Sequence, residues 1–174
     1  MAPVSSRRAP ADAPATALYE QGQYPQVVEK LQSSISDPAP ETAAVDLLAR
    51  SLANEGKLAE ALACCDQWIS RNKLDAPAHY LRAVILEEQG AIDEAIRSLR
   101  AAVYLDSHFV VAHFALGNIA RRRGRHSEAG KHLSLALRLS GRYREEEVLP
   151  ESDGITAGRF AQMIHSLIDS EATA

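Results

Sequence analysis

The internal pattern of this chain is clearest in residues 76–109, which read APAHYLRAVILEEQGAIDEAIRSLRAAVYLDSHF. Shifting the sequence by 34 residues aligns this unit with the segments before and after it. Glycines recur at that spacing, at Gly22, Gly56, Gly90 and Gly124. Alanines preceded by a glutamate recur with them, at Ala61, Ala95 and Ala129. A fixed period of this length indicates a solenoid, in which each unit packs against its neighbours.

Each part of the pattern has a physical reason. A glycine after a helix adopts the positive φ that ends the helix, and so marks a turn. A small alanine on the next helix lets the paired helices approach closely. The apolar residues are three or four positions apart, which places them on one face of each helix. In the two most regular units they are Ala83, Leu86, Ile92, Ala95, Leu99, Ala102 and Leu105, then Leu116, Gly117, Ala120, Ala129, Leu133, Ala136 and Leu139.

The period of 34 and the shared form G-x-[LIH]-x-E-A resemble the tetratricopeptide repeat, a helix-turn-helix unit. The resemblance implies an all-α superhelix of three regular repeats, with one degenerate N-terminal repeat and a C-terminal capping helix. The helices of the regular repeats are predicted at 42–54, 58–71, 76–88, 92–105, 110–122 and 126–140. The degenerate repeat is predicted to hold a short helix near 14–21 and another near Pro25, because proline favours the first turn of a helix.

The chain divides into three parts. Residues 1–13 are predicted to be a disordered Pro/Ala-rich linker or tail. The repeats are assigned to 14–140, with units at 14–41, 42–75, 76–109 and 110–140. Residues 141–174 are predicted to be a linker followed by the capping helix. The apolar face of that helix is predicted to carry Phe160, Met163, Ile164, Leu167 and Ile168.

The second repeat contains two unusual features. Trp68 stands where the later repeats have Ala102 and Ala136, so we expect wider packing there. Cys64 and Cys65 are adjacent on a predicted helix, with Cys65 on the core face. We interpret them as buried structural thiols rather than a redox site, and their scarcity favours a reducing, cytoplasmic compartment.

Composition excludes several classes of function. The formal net charge of −4 lacks the basic excess of a nucleic-acid binder, and no apolar run is long enough to span a membrane. His79 and His113 lie 34 residues apart at equivalent positions, which indicates helix packing rather than metal binding. The sequence contains no P-loop and no nucleophile elbow. The chain alone is therefore predicted to be non-enzymatic, without a cofactor or a metal.

Two segments contain more detail than a generic repeat needs. They are residues 102–140, which include YLDSHFVVAHFALGN, and residues 149–164, LPESDGITAGRFAQMI. With ILEEQGAIDEAIRSLR before them, they resemble the C-terminal tetratricopeptide region of CheR-type chemoreceptor glutamate methyltransferases, such as the WspC- and FrzF-like enzymes. In that family an N-terminal domain that uses S-adenosylmethionine methylates receptor glutamates.

This second resemblance, over roughly residues 40–168, implies a role for the chain. The chain would be the non-catalytic docking or regulatory region of such an enzyme, either as a fragment of it or as a free-standing protein that carries only this part. S-adenosylmethionine would be bound only by a preceding methyltransferase domain. The implied partner is a chemoreceptor or the enzyme's own methyltransferase domain, within a chemotaxis-like signalling pathway.

The first helices of stacked repeats line a concave groove, where a partner is expected to bind. The groove positions are predicted to be Asp46, Arg50, Asn54, Tyr80, Val84, Glu87, Glu88, Phe114, Asn118, Arg121 and Arg122. Tyr80 and Phe114 are predicted to be exposed aromatic anchors. The alternative is that they pack against each other or against the N-terminal tail. Because Asp46, Tyr80 and Phe114 replace the Lys/Asn donors of a carboxylate clamp, a chaperone co-factor role is disfavoured.

The basic run from Arg121 to Arg125 has a structural explanation. The repeat spacing places Arg121 and Arg122 beside Glu87 and Glu88, so cross-repeat ion pairs are favoured over a phosphate site. We therefore predict a protein–protein interaction domain. The alternatives are a generic scaffold or self-association module unrelated to methylation, and a direct part in methyl transfer.

Overall fold

The computed structural model describes residues 13–32 and 42–172, and within these ranges the chain forms nine α-helices. They are α1 (Ala13–Glu20), α2 (Tyr24–Leu31), α3 (Thr42–Asn54), α4 (Leu58–Arg71), α5 (Ala76–Glu88), α6 (Ile92–Leu105), α7 (Val110–Arg122), α8 (His126–Ser140) and α9 (Ala157–Ala172). Successive helices pack against each other along the chain. This is the predicted all-α superhelix.

Helices α3 to α8 have the predicted bounds. The short helix expected near 14–21 is α1, which begins at Ala13, so Ala13 is not part of the predicted 1–13 tail. The rest of that tail lies outside the described residues. Helix α2 begins at Tyr24 and carries Pro25 in its first turn, as expected for a residue with a fixed φ and no backbone N–H.

The repeated glycines end the first helix of each pair, as the sequence predicts. Gly56 has φ of 75°, Gly90 of 79° and Gly124 of 70°, all in the left-handed region. The residue after each glycine donates its N–H to a carbonyl five positions earlier: Lys57 to Leu52, Ala91 to Leu86 and Arg125 to Ala120, at 2.8–2.9 Å. These bonds form the Schellman motif, which turns the chain into the second helix of the pair.

Small residues set the distance between paired helices. Ala61, Ala95 and Ala129 are fully buried. The contact of α7 with α8 is closer still, since a Cβ atom added to Gly117 would lie 2.8 Å from Cγ of Leu133. Core atoms do not approach that closely, so any larger residue at this position would clash with Leu133 and glycine is required.

The core forms two clusters that meet at α5. Leu81 and Ile85 pack towards α1–α4, whereas Ala83 and Leu86 pack towards α6–α9. Trp68 is 4% exposed and belongs to the first cluster. A small cavity lined by Val45, Gln67 and Arg71, among others, opens beside Trp68.

The last helix packs on α8, as a capping helix should. Phe160 and Ile164 are buried, and Leu167 and Ile168 are half-buried against the same cluster. The predicted apolar face is wrong at Met163, which is 37% exposed. The buried stripe of α9 runs through Ala157, Phe160 and Ile164, and Met163 lies at its edge.

Candidate functional site

We call the side of α3, α5 and α7 that carries the predicted groove residues the inner face. On this face Asp46, Arg50, Tyr80, Glu87, Phe114, Asn118 and Arg121 are half-buried, while Asn54, Val84, Glu88 and Arg122 are exposed. The structure divides them into two groups. The covered group, which includes Arg50, Tyr80 and Phe114, lies against the chain's own C-terminal segment. The second group, which includes Val84, Asn118 and Arg121, does not.

Arg50 is the centre of the covered group. Its Nε atom donates to the carboxylate of Asp46 one turn earlier on α3, at 3.1 and 3.2 Å. Its Nη2 atom donates to Glu151, and its Nη1 atom lies 3.4 Å from Oδ1 of Asp153. Although burial opposes it, the three carboxylates raise the pKa of Arg50 above its usual value. The segment after α8 thus reaches back across about a hundred residues of sequence to α3.

The segment that reaches Arg50 is a tight loop. Its ends are joined by an isolated antiparallel bridge between Val148 and Thr156, and the N–H of Leu149 donates to the carbonyl of Ile155 at 3.0 Å. The buried Ser152 hydroxyl lies 2.8 Å from the carbonyl oxygen of Leu149 and 2.9 Å from that of Ile155. The loop is therefore held in shape by its own hydrogen bonds.

The expected exposure of Tyr80 and Phe114 is wrong. The Tyr80 ring packs on Phe109 with centroids 5.2 Å apart, and the Phe114 ring packs on Phe160 at 4.8 Å. Burial raises the pKa of Tyr80 to about 12, and Asp153 adds to the rise. Among the described residues the two rings form no ring contact with each other. The alternative that they pack against the N-terminal tail concerns residues that lie outside the described part of the chain. They were mispredicted because α9 and the loop 149–156 cover this half of the inner face.

The second group forms an open part of the inner face. Val84 is 41% exposed near the middle of α5. Asn118 occupies the equivalent position of α7, 34 residues on. The Oδ1 atom of Asn118 and the Nε atom of Arg121 are buried and have no hydrogen-bond partner among the described residues. Buried polar atoms are normally paired, so an unpaired donor and acceptor on one helix face are unusual.

The predicted pairing between repeats is confirmed for Arg122, which donates to Glu87. Arg123 also pairs, with Asp93 of α6 at 2.8 Å. Arg121 forms no ion pair with any residue that the structure describes. The basic run is therefore largely neutralised at the edge of the inner face, and this supports the structural explanation given above.

The repeated histidines have the same structural role. Nε2 of His79 lies 3.2 Å from the carbonyl oxygen of Lys73, and Nε2 of His113 lies 3.2 Å from that of Ser107. Each contact ties the start of a first helix to the loop before it. The described residues contain no group of three or more side chains suited to a metal ion.

His113 also pairs with His132 of α8. Their Nδ1 atoms are 3.1 Å apart. A carbonyl only accepts, so His113 carries its proton on Nε2, and its Nδ1 accepts from His132. Two facing N–H groups would repel each other, so this contact requires at least one of the two rings to be neutral. Burial lowers the pKa of both groups, and in His132 the neighbouring His113 adds to the effect.

We expect the chain to lose stability as the pH falls below about 6.5, the ordinary value for histidine. Below this pH both rings are protonated in the unfolded chain, whereas their lowered pKa values keep them neutral in the folded chain. Proton binding therefore stabilises the unfolded state relative to the folded state. Each group contributes a slope of at most about 1.4 kcal/mol per pH unit. Urea titrations between pH 8 and pH 5 measure the slope. His132→Asn should flatten it, and His165→Asn, exposed on α9, should not. An unchanged slope in His132→Asn would contradict the assignment.

The two cysteines are buried free thiols. Burial raises the pKa of Cys64 to about 11 and raises that of Cys65 further. The Cys64 thiol lies 3.7 Å from the carbonyl oxygen of Val45. Because a thiol reacts as its thiolate, these features agree with the predicted structural role.

Comparison with known proteins identifies the class of this fold. Residues 47–108 match a family model described as tetratricopeptide repeat. Together with the nine helices and the glycine turns, this match shows a tetratricopeptide-repeat superhelix, the architecture of protein–protein interaction scaffolds. None of the described helices is both long and apolar enough to cross a membrane.

Solved structures with this fold include MamA, with 19% identity and a TM-score of 0.67 over 74% of this chain and 75% of that chain. A MamA segment from Desulfovibrio magneticus RS-1 has 21% identity and a TM-score of 0.65 over 74% and 72%. YrrB, described as a TPR protein with an unusual peptide-binding site, has 16% identity and a TM-score of 0.61 over 72% and 64%. No curated protein matches the chain.

Proposed function

We propose that the open part of the inner face binds a segment of a partner protein, and that the chain is the docking or regulatory region of a chemoreceptor methyltransferase. In this proposal the partner is a chemoreceptor or a methyltransferase domain. S-adenosylmethionine belongs to the methyltransferase domain and not to this chain. The proposal places the chain in the cytoplasm, where free thiols such as Cys64 and Cys65 remain reduced.

The observation that carries the binding proposal is the combination of Val84 with the unpaired atoms of Asn118 and Arg121. Val84 offers an apolar contact that is accessible to a partner. Oδ1 of Asn118 and Nε of Arg121 lack partners among the described residues but are covered in the unbound chain. A change of rotamer of these two side chains would let an extended segment supply a backbone N–H to the first atom and a carbonyl to the second. Satisfying a buried donor and a buried acceptor removes a desolvation cost, so binding gains more than the new contacts alone.

The partner's identity has separate support. It comes from the resemblance of residues 102–140 and 149–164 to the tetratricopeptide region of chemoreceptor methyltransferases. The second of these segments includes the loop that reaches Arg50 and the start of α9, so its detail coincides with an unusual part of the structure. The fold itself is compatible with many protein ligands.

A binding titration with two variants tests the site. Val84→Arg/Asn118→Ala should weaken binding at least about tenfold, because it places a charge at the apolar contact and removes the acceptor. Purified cytoplasmic segments of a chemoreceptor and a CheR-type methyltransferase domain serve as probes, measured by calorimetry. Tyr104→Ala is the matched control, since Tyr104 is 86% exposed on α6.

Three outcomes bear on different parts of the proposal. Equal affinity in the double variant and the parent would contradict the open face as the binding site. Failure of both probes to bind the parent chain would contradict the methyltransferase assignment and leave the interaction fold intact. Reversible self-association in analytical ultracentrifugation, abolished by the double variant, would favour the self-association module instead.

A further inference from the structure

The covered half of the inner face is centred on Arg50. Arg50 is a cation whose side chain is only 14% exposed, and it meets carboxylates from two sources. Asp46 belongs to its own helix and orients the guanidinium. Glu151 and Asp153 belong to a loop about a hundred residues away in sequence. Arg50 therefore binds carboxylates of its own helix and of a distant loop at the same time.

The two loop residues that touch Arg50 also have the least favourable backbone. Glu151 has φ of 58° and Asp153 has φ of 52°, in the left-handed region that non-glycine residues seldom occupy. Gly154, with φ of 87°, follows them. Strain of this kind persists where surrounding contacts hold it, and it is released when those contacts are lost. The strained positions coincide with the contact to Arg50.

The loop has a buried base and a partly exposed tip. Leu149 is 1% exposed and Ala157 is 4% exposed, and both belong to the core. Between them, the side chain of Asp153 is 82% exposed although it reaches Arg50. A competing ligand therefore has to displace the tip, residues 150–154, including the hydrogen bonds of the buried Ser152, while the base remains in the core.

Two tyrosines lie near the cluster formed by Arg50 and Asp153. Tyr80 lies close enough to Asp153 and Arg50 for both charges to affect its hydroxyl. Burial raises the pKa of Tyr19 on α1, and the charges of Arg50 and Asp153 also act on it. Its hydroxyl oxygen lies 3.4 Å from Nδ2 of Asn54. Displacement of the tip would thus leave one guanidinium, already oriented by Asp46, beside two tyrosines. This combination suits an acidic segment, because a guanidinium binds carboxylates through several N–H groups at once.

We propose that Arg50 anchors a binding site for an extended acidic segment whose two carboxylate residues are separated by one residue. Residues 150–154 of the chain itself occupy this site until such a segment displaces them. The proposal rests on the proposed function of the inner face and extends it to a second, self-occupied site. The loop acts as a tethered competitor, present at high effective concentration. An acidic partner binds weakly while the loop is in place and more tightly once it is released.

The test uses the full chain and a blocked peptide of residues 147–157, EVLPESDGITA, as the probe. Glu151→Gln/Asp153→Asn in the chain removes the competing charges but no core side chain. We expect this variant to bind the peptide about tenfold more tightly than the parent. A gain of that size corresponds to a loop that occupies the site in about nine-tenths of the parent molecules, so that about one-tenth can bind the peptide. Adding Arg50→Gln should abolish the gain, and a peptide with the same two neutral substitutions should not bind.

Glu145→Gln/Glu146→Gln is the matched control, because it removes two exposed carboxylates from the same connection. Circular dichroism confirms that each variant remains helical. Equal peptide affinity in the parent and in Glu151→Gln/Asp153→Asn would overturn the proposal, as would an equal gain in the control. A parent dimer that Glu151→Gln/Asp153→Asn converts to a monomer would also overturn it, since the loop would then occupy Arg50 of a second copy.

The peptide experiment and the experiment on the open face can refute their two proposals separately. If the peptide does not respond to the loop variant but Val84→Arg/Asn118→Ala still loses the receptor or methyltransferase probe, only the acidic site is refuted. If the peptide responds as expected and neither protein probe binds the parent, the methyltransferase assignment fails and the acidic site remains.

Discussion

Replacing Phe160 with alanine is expected to lower the free energy of unfolding by about 3–5 kcal/mol. The Phe160 side chain is 2% exposed and packs on Phe114 at a centroid distance of 4.8 Å. Its removal leaves a cavity between α9 and α7 and loses an aromatic contact. Because Phe160 is one of the largest buried side chains among the described residues, the effect should be among the largest in the molecule.

Met163 provides the control for this prediction, since it lies on the same helix but is 37% exposed. Met163→Ala should cost about 1 kcal/mol or less, because much of its surface is already in water. Chemical denaturation of both variants measures the difference. Similar losses for Phe160→Ala and Met163→Ala would show that α9 does not cap the superhelix through the described face. Aggregation of the Phe160 variant alone would agree with an exposed solenoid end.

The second large effect is expected at Trp68. Trp68→Ala should also destabilise the chain by about 3–5 kcal/mol, because the indole is 4% exposed within the cluster that includes Val45 and Leu48. The later repeats tolerate alanine at this position, where Ala102 and Ala136 are fully buried, because their helices pack around the smaller residue. The second repeat is built around the larger one, and a cavity already lies beside it.

Tyr104→Ala is the matched control for Trp68, as an aromatic residue that is 86% exposed. Its substitution should change stability by no more than about 0.5 kcal/mol. Both variants are measured by urea denaturation at the same pH. A loss below about 1 kcal/mol in Trp68→Ala would mean that the second repeat closes around alanine as the others do, and would contradict the packing described for this repeat.

The repeats could be predicted from the sequence because their causes are local. Gly56, Gly90 and Gly124 end helices through their own backbone freedom, and the apolar spacing sets the buried face of each helix. The bounds of α3 to α8 follow from these two features. The degenerate first repeat was also located, because Pro25 marks a helix start without help from tertiary structure.

The inner face could be predicted only in part, because its environment depends on contacts distant in sequence. Repeat register identified Arg50, Tyr80 and Phe114 as neighbours on one face. It gave no indication that Glu151 and Asp153 would reach Arg50, or that Phe160 would cover Phe114. The acidic residues around Ser152, followed by Gly154, do indicate a turn, but a turn carries no information about the helix that it touches.

The central claim is that the C-terminal loop is held on the inner face by Arg50, and a double-mutant cycle between Arg50 and Glu151 tests it most directly. The cycle compares Arg50→Gln, Glu151→Gln and the double variant in urea denaturation, so that losses unrelated to their contact cancel. Both side chains are partly buried, at 14% and 20% exposure, so we predict a coupling energy of about 1 kcal/mol. Strictly additive losses, within about 0.3 kcal/mol, would contradict the claim.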